Sequence, residues 1–297
     1  MSINTKKSNQ VVIMDANVSW LDWRKSLKES FRYRYLLQHL VKRDVKVRYR
    51  NSILGVIWSL LNPLLMMLVF TLVFGKLMPN ESLRSYSIFV LVGLLPWQFF
   101  TGTMLMGTIS ITNSSAMIRK VYFPRELLPV SAVLSNLINF LLACLVLIAF
   151  LYIAGIGLTV YALWVPVLLF TQMLFMLGLV LILGTINVFY RDVMMILDVI
   201  LLAWFFLTPV VYPLEWLSAK QTIMGITLEP AVIMRWVNPM ASIIDGYRTV
   251  LWGTPNSSGP VSMDPIYLMR TFVTGLIVFV IGYILFARFQ HVFAEKL

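Results

Sequence analysis

Ionisable side chains are scarce in this sequence: Asp, Glu, Lys and Arg together make up 12% of it, about half the usual share of a soluble domain. There are two histidines and one cysteine. Cys144 lies inside a long apolar run, so a disulfide framework is excluded and the thiol reads as a small buried apolar group. His39 and His291 fall on polar flanks and read as surface residues rather than ligands. No glycine-rich loop ending in Gly-Lys-Ser/Thr occurs, which excludes phosphate binding of that kind. A membrane enzyme would need acids, bases or metal ligands gathered at one depth. Only Asp198 lies well inside an apolar run, either as a structural partner or as part of a transport path.

What is abundant is hydrocarbon, at 59% of residues. A bilayer core of roughly 30 Å takes about 20 apolar residues per helix. Six runs meet that length: Ile53 to Met78, Tyr86 to Ile111, Leu127 to Ala154, Val160 to Phe189, Val193 to Tyr212 and Ile266 to Ala287. Ten-residue segments of alternating polarity are missing, so an outer-membrane barrel is excluded and an all-α membrane bundle of six transmembrane helices is expected. No internal repeat is evident, which gives an inverted-repeat transporter no support.

The net charge of +11 is explained by topology, without nucleic acid. With both termini cytoplasmic, 18 of the 24 Lys and Arg residues fall on inner segments, as positive-inside topology requires. No short apolar stretch with a small-residue cleavage site opens the sequence, so the first span is expected to direct insertion itself. Residues 1–25 are polar, with WLDW at Trp20 to Trp23 as a surface anchor. From Leu27 to Arg50, Tyr33, Leu36, Leu37, Leu40 and Val41 recur on one helical face, opposite Arg32, His39, Arg43, Lys46 and Arg50. That spacing predicts an amphipathic helix at the inner interface. The expected division is a cytoplasmic segment over 1–52 and a membrane domain over 53–297.

The stretch from Pro213 to Pro265 is too long and too apolar for an ordinary loop. Within it Asn238 is placed as a helix N-cap, Pro239 as the first helical residue and Gly253 as the stop, with Met240, Ile243, Ile244, Tyr247 and Leu251 on one face. Asp245 and Arg248 are spaced to pair. Short re-entrant helices capping the outer side are expected. Aromatic residues gather toward that half: Trp97, Phe99 and Phe100, then Trp204, Phe205 and Phe206, then Tyr212. Trp216, Trp236 and Trp252 read as an interfacial belt. Trp204, Phe205 and Phe206 lie mid-span, where they either pack on neighbouring helices or line a conduit suited to the apolar C–H faces of sugars.

One charged element separates the second and third spans, TNSSAMIRKVYFPRELLPV from Thr112 to Val130. Asn113, Ser114 and Ser115 offer N-cap chemistry, and Pro124 forces Phe123 out of helical geometry. A short stiff cytoplasmic knob is expected, its basic residues and the pair Tyr122–Phe123 suited to a socket on a partner protein.

KVYFPRELLP at Lys120 to Pro129 resembles a loop of the permease subunits of ABC exporters for lipid-linked polysaccharides. The same family pattern is matched by RDVKVRYRNSILGVIWSLLNPLL from Arg43, GLLPWQFF from Gly93, NVFYRDV from Asn187, LTPVVYP from Leu207 and NPMASIIDGYR from Asn238. The resemblance covers roughly residues 20–290. It implies a type-2 ABC exporter fold, a homodimer forming a channel and two copies of a separate cytoplasmic ATPase subunit. ATP and Mg would be held by that subunit, with no cofactor, metal or catalytic residue in this chain. It further implies a coupling helix over about 113–126, with Ser115, Met117, Arg119, Lys120, Tyr122, Phe123, Pro124, Arg125 and Glu126 facing the ATPase. Outer gate helices would lie within about 213–253.

The first and fifth spans would line the channel, placing Trp58, Phe70, Phe74, Trp204, Phe205, Phe206 and Tyr212 on its wall. Arg43, Arg48, Arg50 and Arg191 would attract the diphosphate of the cargo lipid. The implied activity is export of an undecaprenyl-diphosphate-linked, O-antigen-like polysaccharide across a bacterial inner membrane. The alternatives are a same-fold exporter of teichoic acid, capsule, lipid or drug, a membrane glycosyltransferase or polymerase, and a membrane scaffold. Scarce ionisable residues argue against the enzyme, and mid-span aromatics with a docking knob against the scaffold.

Overall fold

The structure is a computed structural model and describes residues 32–50, 55, 57–77, 85–217, 221–223, 226–255, 257 and 259–297. The Trp20–Trp23 anchor and the beginning of the expected interfacial helix lie outside the described residues. The chain forms α1 (Arg34–Tyr49), α2 (Ile57–Phe70), α3 (Tyr86–Thr108), α4 (Ser115–Lys120), α5 (Leu127–Ile153), α6 (Val165–Phe189), α7 (Val193–Leu207), α8 (Pro230–Val237), α9 (Pro239–Leu251), α10 (Pro265–Phe289) and α11 (Phe293–Lys296). The regular non-helical elements among the described residues are β1 (Gln221–Ile223) and β2 (Ile226–Leu228), an antiparallel ribbon.

Four helical segments are long and apolar enough to cross a membrane, Tyr86–Thr108, Leu127–Ile153, Val160–Phe189 and Pro265–Lys296. The chain is a multi-pass membrane protein. The fifth expected span is shorter than the sequence suggests, while the first is helical from Ile57 to Leu77 and its ends lie outside the described residues. Their apolar helical cores are Leu60–Phe74 and Val193–Leu207. At 1.5 Å per residue a 15-residue helix such as α7 reaches only about 22 Å, short of a hydrocarbon core. It stops because Pro209 follows: Thr208 is extended, the geometry a residue before proline prefers. Beyond Phe70, α2 continues as a π-helical stretch, Thr71–Leu77.

Helix α3 is apolar all round and is the buried centre of the bundle, as that pattern requires. It packs on α5, α6, α2 and α9. Pro96 interrupts its ladder, and the Pro96 carbonyl accepts from Gln172 Nε2 of α6 at 2.8 Å. The closest pair is α6 with α10, where glycine lets the backbones touch. A Cβ on Gly178 would lie 2.5 Å from the Phe279 amide nitrogen, and one on Gly282 would lie 2.3 Å from the Gly178 carbonyl. Close approach through small residues suits a membrane, where burial alone gives helices little reason to associate.

Helix α1 packs on α5, burying Leu40 and half-burying Tyr33, Leu36, Leu37 and Val41, the face that the spacing predicts. Three polar rungs fasten it. Ser131 Oγ donates to Asp44 at 3.0 Å, Arg48 to Asn136 Oδ1 at 2.8 Å and Tyr49 Oη to Asn139 Oδ1 at 2.6 Å.

Candidate functional site

At one end of the bundle the chain leaves α3 through a 3-10 turn, Thr112–Ser114, enters α4, turns extended at Val121 and passes Tyr122 to Pro124 without regular structure before α5. Ser114 sits at the N-cap position but its side chain makes no capping bond, so the expected cap chemistry is not used. The pair Tyr122–Phe123 splits. Tyr122 is 69% exposed, while Phe123 is 4% exposed. The expectation that both rings face a partner is corrected: Phe123 is the root of the knob. It packs in a cluster with Leu40 of α1, Ile118 of α4, Leu127 and Leu128 of α5, Leu181 and Val188 of α6, and Phe286 of α10.

The outward face of this knob is Arg119, Lys120, Val121 and Tyr122, all exposed. Ser115, Met117, Pro124, Arg125 and Glu126 are half-buried. Met117 packs on the cluster below, and Arg125 Nη1 is enclosed without a partner. Burial lowers the pKa of the Arg125 guanidinium, with Tyr122 pulling the other way. A rigid, basic, aromatic-tipped element therefore stands on a root shared by five helices.

At the opposite end, α9 is capped as the sequence predicts. Asn238 Oδ1 accepts from the amides of Met240 at 3.1 Å and Ala241 at 3.3 Å, Pro239 opens the helix, and Gly253 follows it at φ +114°. The predicted face of Met240, Ile243, Ile244, Tyr247 and Leu251 is buried. The predicted Asp245–Arg248 pair does not form. Asp245 pairs with Arg235 of α8 at 2.9 Å. Arg248, 4% exposed, instead donates to the carbonyls of Pro209, Val210 and Tyr212 and lies 3.8 Å from the centre of the Phe89 ring. One guanidinium thus fastens the irregular turn after α7 to α9 and α3. Gly93 makes this possible, because a Cβ there would meet Arg248 Nη2 at 2.5 Å. Trp216 and Trp236 are exposed as belt residues would be, but Trp252 is buried edge-on against Phe89 at 5.1 Å.

The aromatics assigned to a channel wall divide. Phe70 stacks on Phe74 at 6.1 Å and on Phe205 at 5.7 Å, and Phe205 meets Phe206 at 5.3 Å. These rings join α2 to α7, and Tyr212 Oη reaches the Phe206 carbonyl at 3.1 Å. Phe206 and Trp58 are exposed. Trp204 points the other way, edge-on to Phe100 at 5.1 Å with Nε1 donating to Asn238 Oδ1 at 3.0 Å. It is half-buried and packs on the core. Asp198 is exposed on the opposite face of α7, among exposed Met195, Val199 and Leu202.

The four arginines assigned to a diphosphate are not equivalent. Arg43 is paired with its neighbour Asp44 at 2.8 Å, and Arg48 is tied to Asn136. Arg50 lines an open pocket between α1 and α5 with Lys42 and Lys46. Arg191 lines a different one, beside the knob, with none of the other three in its lining.

An apolar helical bundle with a charged knob at one end and a clamped cap at the other has the form of a membrane permease driven from outside its own chain. The chain belongs to the ABC-2 type transporter family, which it matches over residues 35–252; such permeases work with separate ABC ATPase subunits. It is similar to an O-antigen export system permease, RfbA, of Myxococcus xanthus, 36% identical over 226 residues that cover 76% of this chain and 84% of that one. It is also similar to the RfbA permease of Klebsiella pneumoniae, 30% identical over 279 residues, 92% of this chain and the whole of the relative.

Proposed function

We propose that this chain is the channel-forming permease of an ATP-driven exporter that moves an undecaprenyl-diphosphate-linked, O-antigen-like polysaccharide across a bacterial inner membrane. Two copies form the channel, two copies of a cytoplasmic ATPase subunit hold ATP and Mg, and both termini face the cytoplasm. The relatives' names support the cargo. The observation that carries the mechanism is the knob: Arg119, Lys120 and Tyr122 are presented to solvent while Phe123 is buried among α1, α5, α6 and α10. A displacement of the exposed tip therefore acts on the root of several helices at once.

The reading keeps six spans, with α2 extended by its π-helical turn and α7 by the segment that Arg248 clamps. Helices α8 and α9 then serve as the outer gate. The exposed faces of α2 and α7 support a dimer. Trp58, Leu65, Leu68 and Val69 on the first and Val199, Leu202 and Phe206 on the second have no cover in a single copy. Asp198 on that surface favours a wet path between copies over lipid, where a charge is expensive. The test is co-reconstitution with the ATPase encoded beside it into vesicles loaded with lipid-linked glycan. ATP-dependent appearance of glycan at the far face, lost on changing Tyr122, supports the reading. ATPase stimulation without glycan movement overturns the cargo, and failure of any ATPase to bind overturns the mechanism.

A further inference from the structure

Beyond Phe289 the chain passes through a 3-10 turn, Gln290–Val292, into α11. This helix has four residues, and a single turn has too few internal hydrogen bonds to hold itself together. One ring holds it in place. Phe293 is fully buried, at 0% exposure, while Glu295 and Lys296 beside it are exposed. The Phe293 ring stands edge-on to Phe286 of α10 with centroids 5.4 Å apart, and it belongs to the same buried cluster as Ile118 and Phe123 of the knob. Ala294 and Leu297 pack against that cluster as well. Helix α11 packs on both α4 and α6, and its Lys296 and Leu297 share a cleft with Asn113 and Ser115, which lead into α4.

The knob has little anchorage of its own, since Ile118 is the one buried residue among the six of α4. A stiffer support lies next to it. Helices α6 and α10 are held together twice, through the backbone contact at Gly178 and Gly282 and, closer to the knob, through Phe189 edge-on to Phe289 at 5.6 Å. Helix α11 continues from α10, touches α6 and touches α4, so it bridges this pair to the knob.

We infer that Phe293 is a positioning residue of the exporter. Through α11 it fixes the knob to the α6–α10 pair, so that a displacement of the exposed tip is passed to those two helices instead of being absorbed by tilting of the knob. The inference rests on the reading of the knob as the ATPase contact. Removing the ring leaves Arg119, Lys120 and Tyr122 on the surface, where they can still bind, but leaves the inner side of the knob unsupported in a region that is otherwise close-packed.

The first test uses the full chain alone in nanodiscs, with a spin label on V121C in a C144A background; Val121 is 57% exposed. F293A should raise the mobility of the label, and F293L, which refills much of the volume, should restore most of its order. F140A removes a ring of the same size from the other buried cluster, where Phe140 is 5% exposed. It should lower the melting temperature by a similar amount and leave the label unchanged. In the complex with the ATPase, F293A should still bind that subunit and hydrolyse ATP, while glycan moved per ATP falls about tenfold, within the range that residues between two sites impose on coupling. Where F293A is too unstable to purify, F293V supplies the same readouts. Unchanged label mobility in F293A, equal mobilisation by F140A, or unchanged glycan moved per ATP overturns the inference. A wild-type complex that moves no glycan defeats the exporter reading instead, and the label comparison then decides by itself whether Phe293 positions the knob.

Discussion

The adjacent rings Tyr122 and Phe123 allow a test in which one position reports folding and the next reports coupling. Phe123 is 4% exposed among residues of five helices. Its replacement by alanine removes a buried ring and leaves a cavity, a change that costs about 3–5 kcal/mol. With roughly 2–4 °C per kcal/mol for a chain of this order of size, the melting temperature should fall on the order of 10 °C. Tyr122 is 69% exposed, and its replacement by alanine should change stability by no more than about 0.5 kcal/mol. As an interface anchor, however, a tyrosine is worth about 2 kcal/mol, which weakens ATPase binding roughly thirtyfold.

The assay pairs thermal unfolding of the purified chain with titration of the ATPase subunit onto it in nanodiscs. Y122A should melt as the wild type and bind weakly, and F123A should melt early. F123L, which refills much of the volume, should recover most of the lost stability. The reasoning is refuted if F123A melts normally and loses the ATPase selectively, for then Phe123 would be the anchor and its burial irrelevant.

Other positions separate close approach from clamping. R248K keeps the charge but cannot serve three carbonyls from one planar fork. Leaving a buried carbonyl without a donor should cost about 1–3 kcal/mol and expose the segment after α7 to protease, and a normal melting curve with no new cleavage would discard the clamp. G178A puts a methyl 2.5 Å from the backbone of α10, whereas G275A places one 3.4 Å from Phe175. The first should cost about 1–3 kcal/mol or more and the second little, and equal melting temperatures would show that α6 and α10 are not in such contact. N238A removes an N-cap, worth about 1 kcal/mol. It also removes the acceptor of Trp204, so a shift in tryptophan emission should accompany the loss, and an unchanged spectrum would detach Trp204 from the cap.

Much of this architecture is legible because a bilayer requires long apolar runs, and because local motifs such as Asn238-Pro239 and Gly253 carry their geometry in a few residues. The helix α7 shows where that reading fails. Val193 to Tyr212 is one apolar run, yet Pro209 breaks it, and the break survives because Arg248, 36 residues beyond Tyr212 along the chain, supplies the carbonyls with donors. Spacing at i, i+3 favoured Asp245 with Arg248, but α8 lies against α9 and brings Arg235 to the carboxylate first. Spacing along one helix says nothing about a neighbour across a turn. The rungs from α1 to α5 join residues 87 to 90 positions apart and have no local signature.

The two ends of the molecule meet most directly along α7. Only Leu197 and Leu201 of its 15 residues are buried, so it can shift with less loss of packing than α3, which is buried almost throughout. Its first turn shares a pocket with the turn that enters α4, and its last turn ends at the carbonyls held by Arg248. Motion imposed at the knob therefore meets least resistance in α7 and greatest resistance where Arg248 clamps it. Intermediacy alone is weak evidence for coupling; two discrete arrangements are required. Spin labels at exposed Met195 and at exposed Leu145 of α5 should give two distance populations whose ratio changes when ATP is added to the assembled complex. The population favoured by ATP should grow in R248K, where the clamp is loosened. A single unchanging distance in both proteins would remove α7 as the moving element.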